Sequence, residues 1–389
     1  MKNLRQKIMG LGFVTASSFL TTNAAHALSG PSTIQIDGGP LGVLDLSGGI
    51  DSYGYVVSGL GNGQQNTGIN VGSALIELQK TTGELQFTLE VGSSGGAIAP
   101  GTITARPSQT TIGSFSTGPL FAGYMTLAPK DMPFTLSAGR FTSIEGYEYG
   151  LPAWFDSSQL VTDIYWVQNG QDTGVEGSYN QGPLAVTINF GDGWDTHVFN
   201  FLQALTSYSF NTDNVLSLYY GGNLGRTGLN ARTYGWSGGT TVSDYGPYFI
   251  NSQLFGAYYS YTTGNLNLVP EVQYVFAKTD HQLGIDKTTS NLGVALFADY
   301  SLAKTPYSLG GWIEYENSRG AGAWFLGPQS QGVGFALSPT WQYKSLFVRA
   351  NAGGFYLTQN KYDGVAYGYG GNSEGKFQFA GTLEVGLML

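Results

Sequence analysis

The chain contains no cysteine in its 389 residues. That excludes a disulfide-stapled fold, a lipid-modified amino-terminal cysteine and any thiol chemistry, so stability has to come from backbone pairing and packing. Charge is scarce too, with only 11% of residues being Asp, Glu, Lys or Arg. Long hydrophobic runs are missing beyond the first residues. There, Ile8 to Leu20 supplies an apolar core of about 13 residues, short of the roughly 20 that a helical span requires. With Lys2, Arg5 and Lys7 before it and Ala25-His26-Ala27 after it, residues 1–27 read as a cleavable export signal. No repeat of fixed length is present, which argues against a β-solenoid or a lectin-like array.

Catalytic signatures are equally thin. Past residue 27 the only histidines are His197 and His281, and there is no G-x-S-x-G elbow and no H-E-x-x-H helix. Acidic loops occur without the D-x-D-x-D-G order of a calcium loop. The expectation is a protein that is not an enzyme, with no cofactor and no metal site. Removing Lys2, Arg5 and Lys7 from the 17 Lys plus Arg leaves 14 against 26 Asp plus Glu, a net charge near −12, so nucleic acid is not expected as a partner.

What is abundant is glycine (59), tyrosine (25) and period-two patterning. From Phe377 to Leu389 the alternation is unbroken: Phe377, Phe379, Gly381, Leu383, Val385, Leu387 and Leu389 share one face, and Gln378, Thr382 and Glu384 lie on the other. A terminal strand with one wholly apolar face is stable only if its edges are paired and that face meets lipid. Sixteen such strands are predicted, near 43–57, 71–80, 84–92, 119–128, 133–142, 173–180, 183–191, 198–211, 214–222, 248–261, 265–278, 291–302, 307–316, 332–343, 345–357 and 376–389. Tight turns alternate with longer Gly/Asn/Ser segments, the pattern of an up-and-down barrel with one short-turn rim and one long-loop rim. The fold expected is all-β, a closed antiparallel transmembrane β-barrel of about 16 strands, with 14 and 18 as neighbouring counts. Residues 28–42 form a periplasmic lead-in and 43–389 the barrel.

Leu136-Ser137-Ala138-Gly139-Arg140-Phe141, followed by Gly146-Tyr147-Glu148 and later by Asn169-Gly170, resembles the OmpL-like β-barrel porin family, in which a strand ends in A-G-[KR]-F, is followed by G-x-E, and precedes an N-G pair. Gly49-Ile50-Asp51-Ser52-Tyr53-Gly54-Tyr55 is similar to that family's opening strand. The resemblance covers most of the mature layout and implies an outer-membrane pore of a Gram-negative bacterium. Its partners would be outer-membrane lipid and lipopolysaccharide, the barrel assembly machinery, and the ions and small hydrophilic solutes that pass through it; a homo-oligomer is left open. The chain departs from barrel habit in ending on Leu389 rather than Phe.

Charge patterning nominates the pore residues. Between Phe141 and Gly225 there is no Lys or Arg, while Glu145, Glu148, Asp156, Asp163, Asp172 and Glu176 lie in or beside the third long loop, 143–172. Folded into the mouth, that loop would narrow the channel and favour cations; left outside, it would be a solvated surface loop. Arg349 is expected on the lumen face. Arg140 is in conflict with its surroundings, because alternation from Phe134 through Leu136 and Ala138 places it with the apolar residues, where a midplane arginine costs about 2–4 kcal/mol. A bulge at Gly139 turning it inward is the expected resolution, a rim position the other. Against the pore stand a barrel-embedded hydrolase, which would need His197 or His281 beside a buried serine, and a structural or adhesive surface barrel, which would have its lumen filled with side chains.

Overall fold

The computed structural model describes residues 28, 30, 32–61, 66–94, 97–102, 120–148, 153–233 and 241–389. The export-signal segment 1–27 lies outside the described residues. A short strand β1 (Ile34–Asp37) is followed by β2 (Val43–Val57), β3 (Thr67–Lys80), β4 (Leu85–Ser94), β5 (Leu120–Leu127), β6 (Phe134–Thr142), β7 (Gln171–Gln181), β8 (Leu184–Gly191), β9 (Phe201–Asn211) and β10 (Asn214–Asn223). Then come β11 (Gln253–Thr263), β12 (Leu266–Ala277), β13 (Thr289–Ser301), β14 (Tyr307–Arg319), β15 (Gln331–Tyr343), β16 (Leu346–Gln359), a small hairpin β17 (Lys361–Tyr362) and β18 (Val365–Ala366), and β19 (Phe377–Met388). From β2 to β16 each strand pairs antiparallel with the next, β16 pairs with β19, and β19 pairs with β2 from Met388↔Gly49 to Ala380↔Val57. The sheet is thus a closed barrel of sixteen strands, and closure removes every long edge. β1 continues the β2 edge past the end of β19, pairing Ile34–Asp37 with Val43–Leu46.

The alternation read from the sequence has become the wall. Leu85, Ile188, Leu296, Ile313, Leu383 and Leu387 are all exposed on the outer surface, while Thr88, Asn189, Phe297, Glu314 and Glu384, at positions of the opposite parity on the same strands, are buried. No described helix is long and apolar enough to cross a membrane. Short turns close one rim, where Gly83, Gly182 and Gly264 and also Asp131, Lys304 and Lys344 adopt positive φ.

Three strands begin three or more residues away from the expected start. β3 begins at Thr67 and so runs longer. β9 begins at Phe201, leaving a longer loop ahead of it. The strand expected from 248 begins only at Gln253, because Pro247 opens a one-turn helix (Pro247–Ile250) whose Phe249 and Ile250 are buried. A proline at the first helical position has no amide to lose, and burial of two large side chains outweighs β propensity.

The interior is less uniformly polar than the alternation implied. Tyr53, Tyr55, Val57, Val269, Phe297, Trp312, Ala336 and Ala380 point inward and form one apolar cluster with Ile98, Leu160 and Ile164 from the loops. Something apolar therefore crosses the lumen, and it is the third long loop.

Candidate functional site

Loop 3 starts where β6 ends and returns at β7, its neck closed by Ser143 N–H donating to Gly170 O at 3.0 Å. Inside the neck, Asn169 N–H donates to Glu145 Oε2 at 2.9 Å, and Thr162 donates its amide (3.0 Å) and its hydroxyl to Glu148. Thr162 in turn caps a one-turn helix, α1 (Asp163–Trp166), accepting from Tyr165 N at 3.3 Å. These bonds fold the loop on itself.

The far side of the loop is then fastened to the barrel wall. Ser157 donates to Asp299 of β13 at 2.7 Å and Ser338 of β15 donates to Ser158 at 2.8 Å. Gln159 N–H reaches Asn351 of β16 at 3.1 Å, and Thr382 of β19 donates to the Gln159 side chain at 2.6 Å. Trp312 of β14 donates its indole N–H to Leu160 O at 2.5 Å, Asp163 N–H reaches Glu314 at 2.9 Å, and Gln273 of β12 donates to Ile164 O at 2.9 Å. Loop 3 spans the lumen from β6–β7 to the wall made by β12–β16 and β19. The segment before β5 joins it: Val161 N–H donates to Ile98 O at 2.9 Å, and Tyr369 in the last long loop donates to Gly101 O at 3.2 Å.

Each residue nominated from the sequence has a definite place. Glu145, Glu148, Asp156 and Asp163 are all buried within the folded loop. Burial pushes the Glu145 and Asp163 carboxyls up to about 8 and raises Glu148 well above the usual carboxylate range, with the charge of Asp156 adding to the effect on Glu148. Glu148 and Asp163 come together near Glu314 of β14, with Glu316 beside Asp163 and Asp156 acting on Glu148, whereas Glu145 lies against the β10 backbone at Gly221. Asp172 and Glu176 are buried on β7, where Asp172 stands opposite Phe141 and Glu176 opposite Asn189.

Arg349 is on the inner face as expected, wholly buried. It donates to Glu384, its cross-strand partner, at 2.7 Å and to Asp156 O at 2.8 Å, so it is both half of an ion pair and a peg for loop 3. Arg140 is a correction. The ladders on both sides run through Gly123↔Arg140 and Gly139↔Gly174 without a register shift, so no bulge turns it inward. Gly139 is instead required for close approach, at φ +147° with Gly123 O only 2.2 Å from where a Cβ would stand. Arg140 sits at the long-loop end of β6 and makes a two-pronged pair with Asp195 of the next loop, plus a 2.8 Å bond to Gln171. Register shifts do occur elsewhere, at Glu90/Val91, Asn214/Val215 and Gln331/Gly332, and between Ile50 and Ser52 of β2, where β3 carries one residue more and Asp51 Oδ1 takes the Ser73 amide at 2.8 Å. Glu84, the first residue of the strand expected over 84–92, lies in the β3–β4 turn and is exposed.

Sequence reasoning missed the seats. Trp312, Asn351, Ser338, Gln273 and Thr382 carry the loop, and Phe297 stands directly opposite Trp312 in the ladder. The available signal was two large aromatics at positions of the polar face, next to Ala298 and Ile313. The His197 and His281 rings are 64% and 76% exposed, each beside a carboxylate, Asp192 and Asp286.

A closed antiparallel barrel with an apolar outer face and a loop strapped across its interior defines a transmembrane β-barrel of the porin type. A family model described as "Putative beta-barrel porin-2, OmpL-like" matches residues 45–389, and the chain belongs to that family. Among solved structures the fold is similar to outer-membrane expressed OmpT of Vibrio cholerae (12% identity, TM-score 0.58, covering 92% of this chain and 100% of that one). It is also similar to an anion-selective porin from Comamonas acidovorans (13% identity, TM-score 0.59, 89% and 99% covered) and to the trimer form of in-vitro folded OmpT of Vibrio cholerae (12% identity, TM-score 0.54, 89% and 99% covered). No curated protein matches the chain.

Proposed function

We propose that this protein is a passive diffusion pore in the outer membrane of a Gram-negative bacterium, delivered there after cleavage of residues 1–27, and that it admits ions and small hydrophilic solutes with a modest preference for cations. The observation that carries the preference is the sign of the charge that the buried ionisable groups take on when they ionise. Glu77, Glu176, Glu271, Glu314, Glu316 and Glu384 on the strands and Glu145, Glu148, Asp156 and Asp163 in loop 3 are buried, whereas Arg349 is the sole buried Lys or Arg among the described residues and is neutralised by Glu384. Carboxylates at a narrowing raise the local concentration of cations. The Comamonas acidovorans porin, described as anion-selective, shares the barrel at 13% identity, which leaves charge selection to the lumen side chains and not to the fold. The trimer form of in-vitro folded OmpT of Vibrio cholerae supports a homo-oligomer here. We read the chain as non-catalytic, with lipid and lipopolysaccharide on its outer face and the assembly machinery as its route into the membrane. The test is the reversal potential of the purified protein in a planar bilayer under a KCl gradient. A potential of the sign set by potassium supports the reading; one set by chloride overturns it.

A second reading rests on one observation. Leu160, Val161, Thr162 and Asp163 are at or below 1% exposure, so the interior is filled where loop 3 crosses it, as a structural surface barrel would be. Single-channel conductance separates the two, since a structural barrel gives no steps.

A further inference from the structure

The fastening of loop 3 contains a conflict at its centre. α1 is tied to β14 by Asp163 N–H donating to Glu314 Oε2 at 2.9 Å, but both Asp163 carboxylate oxygens, Glu314 Oε1 and Glu316 Oε1 have no hydrogen-bond partner among the described residues. Glu316 Oε2 takes Asn291 of β13. All three acids are at or below 3% exposure. Room for them is made by three glycines: a Cβ at Gly101 would stand 1.4 Å from Asp163 Oδ2, one at Gly334 2.5 Å from Glu314 Oε1, and one at Gly293 2.6 Å from Glu316 Oε1.

Among the described residues, the other titratable groups acting on this cluster have the same sign or none. Loop 3 brings Glu148, β12 brings Glu271, and the last long loop brings the Tyr369 phenol. Arg349 of β16 is committed to Glu384 and to Asp156 O. Three ionised carboxylates packed this way repel one another with little solvent between them, so the seated loop requires at least some of them to be protonated.

We propose that loop 3 is a proton-operated latch: protonation of Asp163, Glu314 and Glu316 holds α1 on the β14 wall, and their ionisation lifts the loop and widens the pore. This rests on the lumen being the conduction path. The direction follows from proton binding. Burial pushes Asp163 up to about 8 in the seated loop, whereas a carboxyl released into water titrates near 4. Between those values the released state binds fewer protons, so raising pH favours release, by up to tenfold per pH unit for each proton involved. Below about 4 the latch is fully seated.

The absence of cysteine makes the test clean. Ser158 and Ser338 touch, Oγ to Oγ at 2.8 Å, so the variant Ser158→Cys/Ser338→Cys can pin the loop to β15. Single-channel conductance in KCl is measured from pH 4.5 to pH 9. In the wild type and the reduced pair it should rise twofold or more; in the oxidised pair, and in Asp163→Asn/Glu314→Gln/Glu316→Gln, it should stay flat. A rise that persists in the oxidised pair means the lumen charge titrates while the loop stays seated, and overturns the latch, as does a wild-type conductance that is flat or falls with pH. A second readout does not depend on current: maleimide labelling of Ser158→Cys, divided by that of Thr212→Cys in an exposed turn to cancel thiol ionisation. A ratio rising fivefold or more over the same range supports the latch. A constant ratio overturns it, and absence of current together with a rising ratio overturns the pore reading alone.

Discussion

At the scale of single residues the strongest constraint is the buried pair Arg349–Glu384. Removing one partner of such a pair leaves an uncompensated charge and costs about 3–5 kcal/mol, whereas replacing both by apolar groups of similar volume is close to neutral. Arg349→Met should therefore lower the temperature at which the folded band converts to the unfolded one on a gel, and Arg349→Met/Glu384→Leu should restore most of it. The single and double variants should nevertheless share a defect, because both lose the bond from Arg349 to Asp156 O that pegs loop 3; noisier open-channel current in both is the expected reading. On the outer face the relevant cost is different. Leu296→Arg places a guanidinium in lipid near mid-strand, at about 2–4 kcal/mol, and should reduce the yield of folded barrel in outer-membrane fractions, while Glu84→Arg in the exposed turn should leave that yield unchanged.

At the scale of elements, loop 3 behaves as a strap with many small fastenings. Trp312 supplies both a buried ring and the indole N–H to Leu160 O. Trp312→Ala removes the bond and about 3–5 kcal/mol of packing, so conductance should rise and fluctuate. Trp312→Phe keeps most of the ring and should give an intermediate value. If both variants conduct like the wild type, the loop does not set the conductance. The adjoining loop after β8 is held by Arg140 through Asp195. Arg140→Ala should loosen that loop, seen as faster proteolysis near Trp194, with little change in current if the pair serves only the rim.

At the scale of the whole molecule the barrel interior carries an excess of buried acid, and on the proposed pore function its selectivity should depend on pH and on salt. A carboxylate contributes cation preference only when ionised, so the contribution of Glu145 and Asp163 is present above their values of about 8 and is lost as pH falls. Cation preference should therefore still be growing between pH 7 and pH 9. A preference that saturates by pH 5 would mean that ordinary solvated carboxylates set it. Because the Debye length shortens from about 30 Å at 0.01 M to about 3 Å at 1 M salt, the reversal potential should shrink steeply with ionic strength.

The strand count, the order of turns and loops and the outward face of the wall were legible in the sequence, because an antiparallel barrel encodes them locally: period two decides which side chain meets lipid, and turn formers decide where the chain reverses. Phe377–Leu389 alone carried the argument, and its ladder with β2 completes it. What the sequence could not carry was everything depending on contacts between residues far apart. Ser158 and Ser338 are 180 positions apart, and Asp156 and Arg349 are 193 apart. Period two marks Trp312 and Phe297 as inward without saying that a loop covers them. Alternation likewise left Arg140 in conflict with its neighbours, and its resolution is an ion pair to Asp195, 55 residues on, instead of a local bulge. Pairing along a strand is read from neighbours; the filling of the lumen, and the company each buried charge keeps there, exists only once the barrel has closed.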